Sequence, residues 1–196
     1  MQRSALITGG HGGLGVAVVE AFQAEGWRVA APTRAEADLT DPAAVRRVVE
    51  AAGPLDAVVN LVGGFAAGQP VAETPIEEFE RMFTLNLRPT YLVTQAALAR
   101  LSPDGAVVCV SSGAARNPFA GASAYAASKA AVAAFARTLA AEGVRCNVIV
   151  PSVIDTPANR ASMPNAKMVA PERIAAVILF LCSPASAAVN GAELQV

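Results

Sequence analysis

Residues 5–15 read Ala5-Leu6-Ile7-Thr8-Gly9-Gly10-His11-Gly12-Gly13-Leu14-Gly15. An apolar run of strand length breaks at a glycine cluster, and from Leu14 to Ala24 apolar residues recur at helical spacing. Glycine is needed where φ is positive or where backbone must come close to a ligand. A helix that starts straight after such a loop aims unpaired N–H groups and the positive end of its dipole at whatever sits there. Strand, glycine loop, helix near the N-terminus is the setting in which a dinucleotide's pyrophosphate is held. His11 reads as a loop residue rather than a ligand.

Working outward, residues 27–31 form a second strand, which completes the opening of a βαβ unit. Asp41 before Pro42 predicts a helix over 42–52, with Asp41 as N-cap and Pro42 at its first position. A strand over 56–62 ends at Gly63-Gly64. Residues 76–101 read as helical, broken or bent by Pro89. Strands over 106–110 and 145–150 flank an Ala-rich helix over 123–141. A helix over 171–182 and a strand over 192–196 close the chain. The alternation predicts one α/β domain over 1–196, a Rossmann-like, doubly wound, mainly parallel sheet with the substrate pocket integral to it.

The 196 residues have the length of one domain, and 54% are hydrophobic, as a sheet buried on both faces requires. Fifteen basic against sixteen acidic residues leave a net charge of -1 with no basic stripe, which argues against a nucleic-acid partner. Three cysteines without a C-x-x-C argue against a disulfide framework and against a metal site. Met1-Gln2-Arg3-Ser4 runs straight into an apolar strand, and the apolar run over 174–182 is too short for a bilayer. The expectation is a cytoplasmic protein without a membrane partner.

Six motifs in order give the chain a resemblance to the short-chain dehydrogenase/reductase family. Thr8, Gly9, Gly13 and Gly15 match T-G-x-x-x-G-x-G. Asp38-Leu39-Thr40-Asp41 is similar to D-x-T-D. Asn60-Leu61-Val62-Gly63 is similar to N-x-A-G, with Val62 for Ala. Asn86 matches an asparagine that supports a water relay. Ser112, Tyr125 and Lys129 match the S…Y-x-x-x-K set. Pro151-Ser152-Val153-Ile154-Asp155-Thr156 resembles P-G-x-[IV]-x-T, with Ser152 for Gly. The resemblance implies an NAD(P)H-dependent oxidoreductase with Asn86, Ser112, Tyr125 and Lys129 as the catalytic set. It also implies coenzyme contacts from Gly9, His11, Gly13, Leu14, Gly15, Asp38, Leu39, Asn60, Val62, Gly63, Tyr125, Lys129, Pro151, Ile154 and Thr156. Family members carry a further helix and strand before the residue equivalent to Asp38; here that stretch is missing, so an edge strand and its helix are expected to be absent and the adenine pocket more open. Members commonly pair through helices near the catalytic tyrosine, which implies a homodimer or homotetramer.

The residues support this chemistry directly. Tyr125 and Lys129 are four apart on a predicted helix and share a face. A phenol with its ordinary pKa of about 10 is a poor base, and a neighbouring ammonium favours its anion. Tyr125 can then donate a proton to a carbonyl oxygen or take one back, and the Ser112 hydroxyl can polarise that carbonyl. At the end of the second strand stand Thr33 and Arg34 rather than a carboxylate. A guanidinium there can pair with the 2′-phosphate of NADP, so NADPH is favoured over NADH, with Glu36 close enough to reach the ribose instead.

Phe65, Phe119, Met163 and Met168 suggest an apolar pocket for a small carbonyl substrate. Ala21-Phe22-Gln23-Ala24 with Trp27, Gly63-Gly64-Phe65-Ala66 and the stretch from Asp155 to Pro164 resemble the dihydropteridine reductase branch, in which the aromatic at Phe65 packs on the pterin. That branch lacks the serine present here as Ser112, so a general carbonyl reductase is the first reading. A quinonoid dihydropteridine is the second substrate considered, and a non-catalytic NADP-binding regulator is the reading from another class.

Overall fold

The computed structural model describes residues 2–196; Met1, where the reading of the chain's start begins, lies outside them. Strand β1 (Ser4–Thr8) leads through the glycine loop into α1 (Gly15–Ala24) and β2 (Arg28–Ala30). Helix α2 (Pro42–Ala52) follows, capped as expected: the Asp41 carboxylate accepts from the amides of Ala43 and Ala44 at 3.0 and 3.1 Å, with Pro42 in the first turn. Then come β3 (Leu55–Asn60), α3 (Ile76–Asn86), α4 (Arg88–Ala97), β4 (Leu101–Val110), α5 (Ser123–Ala141) and β5 (Arg145–Val150). The chain ends with β6 (Val153–Ile154), α6 (Pro157–Ser162), β7 (Met168–Val169), α7 (Pro171–Leu181) and β8 (Glu193–Gln195).

The main sheet has six strands, all parallel, in the order β2-β1-β3-β4-β5-β8. Strand side chains alternate between faces, and both faces are covered. Leu6, Val58, Val107, Cys109, Val148 and Val150 face α2, α4 and α5. Ala5, Ile7, Ala57, Val59, Val108 and Ile149 face α1 and α7. This is the arrangement that a strongly apolar, alternating α/β sequence demands.

Strand β2 is the edge of the sheet, and residues 31–41 run from it directly into α2. No further strand lies beyond β2 among the described residues, in agreement with the missing edge strand and helix. The predicted helix over 76–101 is two helices. Pro89, in the first turn of α4, has no N–H to continue the ladder; the chain breaks at Leu87, and the expected strand over 106–110 begins five residues earlier, at Leu101. The small sheet β6-β7 and helix α6 were not expected. Among the described residues no helix is long and apolar enough to cross a membrane.

Strand order reverses between β1 and β3, because β2 lies on one side of β1 and β3 on the other. Such a reversal leaves a crevice at the carboxyl ends of the two strands, where parallel α/β sheets bind ligands. Thr8 and Asn60, paired at the ends of β1 and β3, mark its floor.

Candidate active site

At the mouth of this crevice Gly9 has φ +72°, and a Cβ there would meet the Val62 nitrogen at 3.0 Å. Only glycine serves both demands. A Cβ at Gly15 would lie 2.0 Å from the Gly9 carbonyl oxygen, so the first residue of α1 packs directly against the loop. At Gly13 the obstacle comes from far along the chain: a Cβ would lie 2.6 Å from Cγ2 of Thr156. The fold therefore joins the glycine loop to the stretch 151–156. Thr156 caps α6 by accepting from the Asn159 amide at 3.2 Å. Pro151 is buried and its carbonyl accepts from the Gly113 amide, while Ile154 packs in the α1–α7 core. Ser152, in place of the family's glycine, sits without strain, since no described non-glycine residue has positive φ.

The outer end of the crevice is formed by the segment after β2. Thr33 donates its amide and hydroxyl to Glu36 Oε2 at 2.7 and 2.9 Å. These bonds hold the Glu36 carboxyl below its ordinary pKa, with a smaller contribution from nearby His11. Asp38 Oδ1 likewise accepts from the amide and hydroxyl of Thr40 at 2.9 and 2.8 Å, which lowers its pKa. Arg34 is exposed, and Leu39 is buried in the core beneath α2 and α4. The Arg88 guanidinium donates to the Thr40 carbonyl at 2.8 Å and ties this segment to α4.

The inner end is buried. Asn60 is turned into the protein: its Nδ2 donates to Thr94 Oγ1 at 3.0 Å and approaches Cys109 Sγ at 3.8 Å, leaving Oδ1 without a partner. Its side chain braces β3 against α4 and β4 rather than facing the crevice. Val62 packs on the core, and Gly63 lies against the end groups of Asn86 and Lys129, where a Cβ would come within 2.7 and 3.0 Å of them.

Ser112 follows β4 and caps the turn at Gly113–Ala115, accepting from the Ala114 amide at 3.2 Å. Tyr125 and Lys129 share a face of α5, as their spacing predicts. Burial pushes the Tyr125 phenol up, with the Ser112 side chain opposing that shift, so the lowering expected from the Lys129 ammonium is not what the folded protein shows.

The Lys129 ammonium donates to the Val110 carbonyl at 3.1 Å, and the Ser111 hydroxyl donates to the Lys129 carbonyl at 2.8 Å. Burial pushes the lysine down to about 8, against an opposing interaction with Cys109. It makes no salt bridge among the described residues. A buried cation without a carboxylate, with donors left over, is poised to hold hydroxyls of a ligand.

Asn86 is fully buried. Its Oδ1 accepts from the Gly64 amide at 2.8 Å, and its Nδ2 donates to Ser128 Oγ at 2.9 Å. Phe65 is 62% exposed and sets its ring edge-on to Tyr125, centroids 4.9 Å apart. Phe119 and Met163 are exposed, and neither lines the nearby cleft of about 290 Å³ formed by Ala66, Ala67, Gln69, Thr74, Gly121 and Ser123 with their neighbours. Ser128 and Thr94, both buried here, carry no motif of their own and were not singled out from the sequence.

Residues 31–196 match the family model described as enoyl-(acyl carrier protein) reductase. The chain is 29% identical to 2-(R)-hydroxypropyl-CoM dehydrogenase of Xanthobacter autotrophicus, over 99% of this chain and 96% of that one. The fold is similar to a blue fluorescent protein from a metagenomic library in complex with NADPH, with a TM-score of 0.89 and 32% identity over 99% and 96% of the two chains. It is also similar to a 3-ketoacyl-(acyl-carrier-protein) reductase from Brucella melitensis complexed with NADH, with a TM-score of 0.88 and 27% identity over 99% and 96%. The chain is a short-chain dehydrogenase/reductase. As a member of this family it is an NAD(P)-dependent oxidoreductase. The matches establish the family as a whole; they do not establish the dihydropteridine reductase branch, and they do not favour a regulator without turnover.

Proposed function

We propose that this short-chain dehydrogenase/reductase reduces the carbonyl of a small molecule, with Tyr125 as the acid. The observation that carries the reading is the grouping of Ser112, Tyr125 and Lys129 at the carboxyl ends of β3 and β4. The end of β4 meets α5 here: the Ser111 hydroxyl, next to Ser112, donates to the Lys129 carbonyl at 2.8 Å, and the Lys129 ammonium, one helical turn from Tyr125, donates to the Val110 carbonyl at 3.1 Å.

The crevice suits a nicotinamide dinucleotide. Its glycine loop leaves no room for side chains at Gly9, Gly13 and Gly15, and helix α1 starts directly behind it. Gly9, His11, Gly13, Leu14 and Gly15 would hold the pyrophosphate, Lys129 the nicotinamide ribose, and Pro151, Ile154 and Thr156 the nicotinamide end. When bound, the coenzyme supplies the hydride. Ser112 holds the substrate oxygen and keeps it in line with the phenol, so that Tyr125 delivers its proton as negative charge grows on that oxygen. The Lys129 charge favours the phenolate that remains. Asn86, bonded at both ends of its side chain, fixes the loop at Gly64.

The preferred coenzyme in this reading is NADPH. The carboxylates of Glu36 and Asp38 are already engaged by Thr33 and Thr40, which leaves the exposed Arg34 to meet a 2′-phosphate. The protein would act in the cytoplasm, where Cys109, Cys146 and Cys182 stay reduced. It would assemble as a homodimer or homotetramer through α4 and α5, where Tyr91 stands 46% exposed against Phe135. Light scattering at micromolar concentration should give a multiple of the chain mass; a monomer would exclude this assembly. The reaction itself is tested by following NADPH and NADH oxidation against aldehydes, ketones, quinones and quinonoid dihydropterin. Steady turnover of a carbonyl is expected; no turnover with any member of the panel would overturn the reading.

A further inference from the structure

Ser128 lies between Tyr125 and Lys129 on α5 and is fully buried. Its hydroxyl donates to the Tyr125 carbonyl oxygen at 2.8 Å and accepts from Asn86 Nδ2 at 2.9 Å. Asn86 Oδ1 in turn accepts from the Gly64 amide at 2.8 Å. The bonds run in one direction, from the Gly64 N–H through Asn86 and Ser128 to the backbone of Tyr125. Ser128 has a single proton and gives it to the carbonyl, so it can only accept from Asn86. That sets which end of the asparagine amide faces Ser128 and which faces Gly64. The other neighbour of Nδ2, the Met82 sulfur at 4.0 Å, is a poor substitute.

The residue after Gly64 is Phe65, whose ring meets the edge of Tyr125 at 79°. Phe65 is too exposed for core packing to hold it in place. The buried chain of bonds and the ring contact thus close a loop that begins and ends at Tyr125.

We propose that Ser128 is a positioning residue. Through Asn86 and Gly64 it sets Phe65 against the Tyr125 ring, and so it sets the width of the opening beside the Tyr125 hydroxyl. Carbonyl compounds bearing a flat aryl group would feel this setting, because their ring must lie beside Phe65; a short aliphatic aldehyde would not reach it. The consequence for substrates rests on Tyr125 being the acid, but the positioning itself does not.

The chain has two tyrosines, so ¹³C labelling of tyrosine rings gives two sets of signals. Tyr91, beside Phe135 at 5.4 Å, serves as the internal control. In Ser128→Ala the Tyr125 signal should move toward its position in Phe65→Ala, where the ring current is gone, while Tyr91 stays put. Ser128→Cys, close in size but a weak hydrogen-bonder, should move it in the same direction and provides the measurement should the alanine variant fail to fold. With an aryl ketone, Ser128→Ala should lose about tenfold in kcat/KM, mainly through KM, as a modest misplacement does. Its coenzyme Kd should be unchanged, and the loss should vanish when Phe65 is already alanine. A Tyr125 signal that stays at its wild-type position in both Ser128 variants would overturn the proposal, and so would an equal loss with and without Phe65. If no carbonyl is turned over at all, the acid role of Tyr125 fails while the ring signals still decide the role of Ser128.

Discussion

The two ends of the crevice are built in opposite ways. At the outer end, beside edge strand β2, the polar side chains are exposed and bonded to near neighbours: Glu36 to Thr33, and Asp38 to Thr40. At the inner end they are buried and bonded across elements. Asn86 on α3 reaches Ser128 on α5, Ser111 reaches the backbone of Lys129, and Lys129 reaches the end of β4. Local bonds at a wet surface contribute little and rearrange easily when a ligand arrives. Buried bonds between elements are costly to leave unmade, so they fix geometry before any ligand arrives. On the proposed function the difference divides the tasks: the inner end would set the rate of the chemistry, and the outer end would set which coenzyme is preferred.

Lys129→Met breaks the inner end most severely. Turnover should fall at least about a hundredfold, the range associated with losing a group that serves acid–base chemistry. Stability should move the other way. Burial lowers Lys129 from its ordinary 10.5 to about 8, so at neutral pH the folded protein carries a charge it would bind less tightly than the unfolded chain does. Removing that charge should stabilise the fold by up to about 3 kcal/mol at pH 7, read from urea denaturation. The sign follows from proton counting. Between pH 8 and the ordinary lysine range the unfolded chain binds more protons than the folded one, so wild-type stability should rise with pH there, and the variant should lack that rise. In the same way, kcat/KM for carbonyl reduction should be level below pH 8 and fall above it, as Lys129 loses its charge.

The join between the two ends is sharpened by Gly13→Ala. The new methyl would lie 2.6 Å from Cγ2 of Thr156, and overpacking of this kind costs about 1–3 kcal/mol. Coenzyme Kd should rise by roughly ten- to a hundredfold. The second substitution Thr156→Ser removes Cγ2 and should restore most of the affinity. Failure of that rescue would show that the contact does not limit binding.

The outer end should respond least and most selectively. Arg34→Ala should weaken NADPH by about tenfold or somewhat more, the worth of a charge-assisted hydrogen bond, and leave NADH within twofold. Tighter NADH than NADPH binding in the wild type, with no selective loss in the variant, would assign the ribose to Glu36 instead.

Much of this contrast was legible in the sequence, because its signals are periodic or punctuated. The βαβ order follows from apolar runs ending in glycine, the cap of α2 from Asp41-Pro42, and the break between α3 and α4 from Pro89. The missing edge strand shows as a shortened segment before Asp38. What stayed hidden has no local signature. Strands of two residues and a helix of six residues, as in β6, β7 and α6, are too short to show a period. Ser128 is one hydroxyl in an alanine-rich helix, bonded within that helix to the Tyr125 carbonyl, and only the arrival of Asn86 from 42 residues away makes it a link between elements. Asn60 sits in a recognisable motif, yet the motif does not tell that its amide turns inward to Thr94 and Cys109.

The central claim is that Tyr125 is the acid at a site otherwise assembled by the fold. It is tested most directly by Tyr125→Phe, which keeps the ring that meets Phe65 and removes only the hydroxyl. The measurement is kcat with a carbonyl substrate, beside coenzyme Kd, for wild type and variant. The account expects kcat to fall by about a hundredfold to ten-thousandfold while coenzyme Kd stays within a few-fold. A variant that turns over at close to the wild-type rate would contradict it.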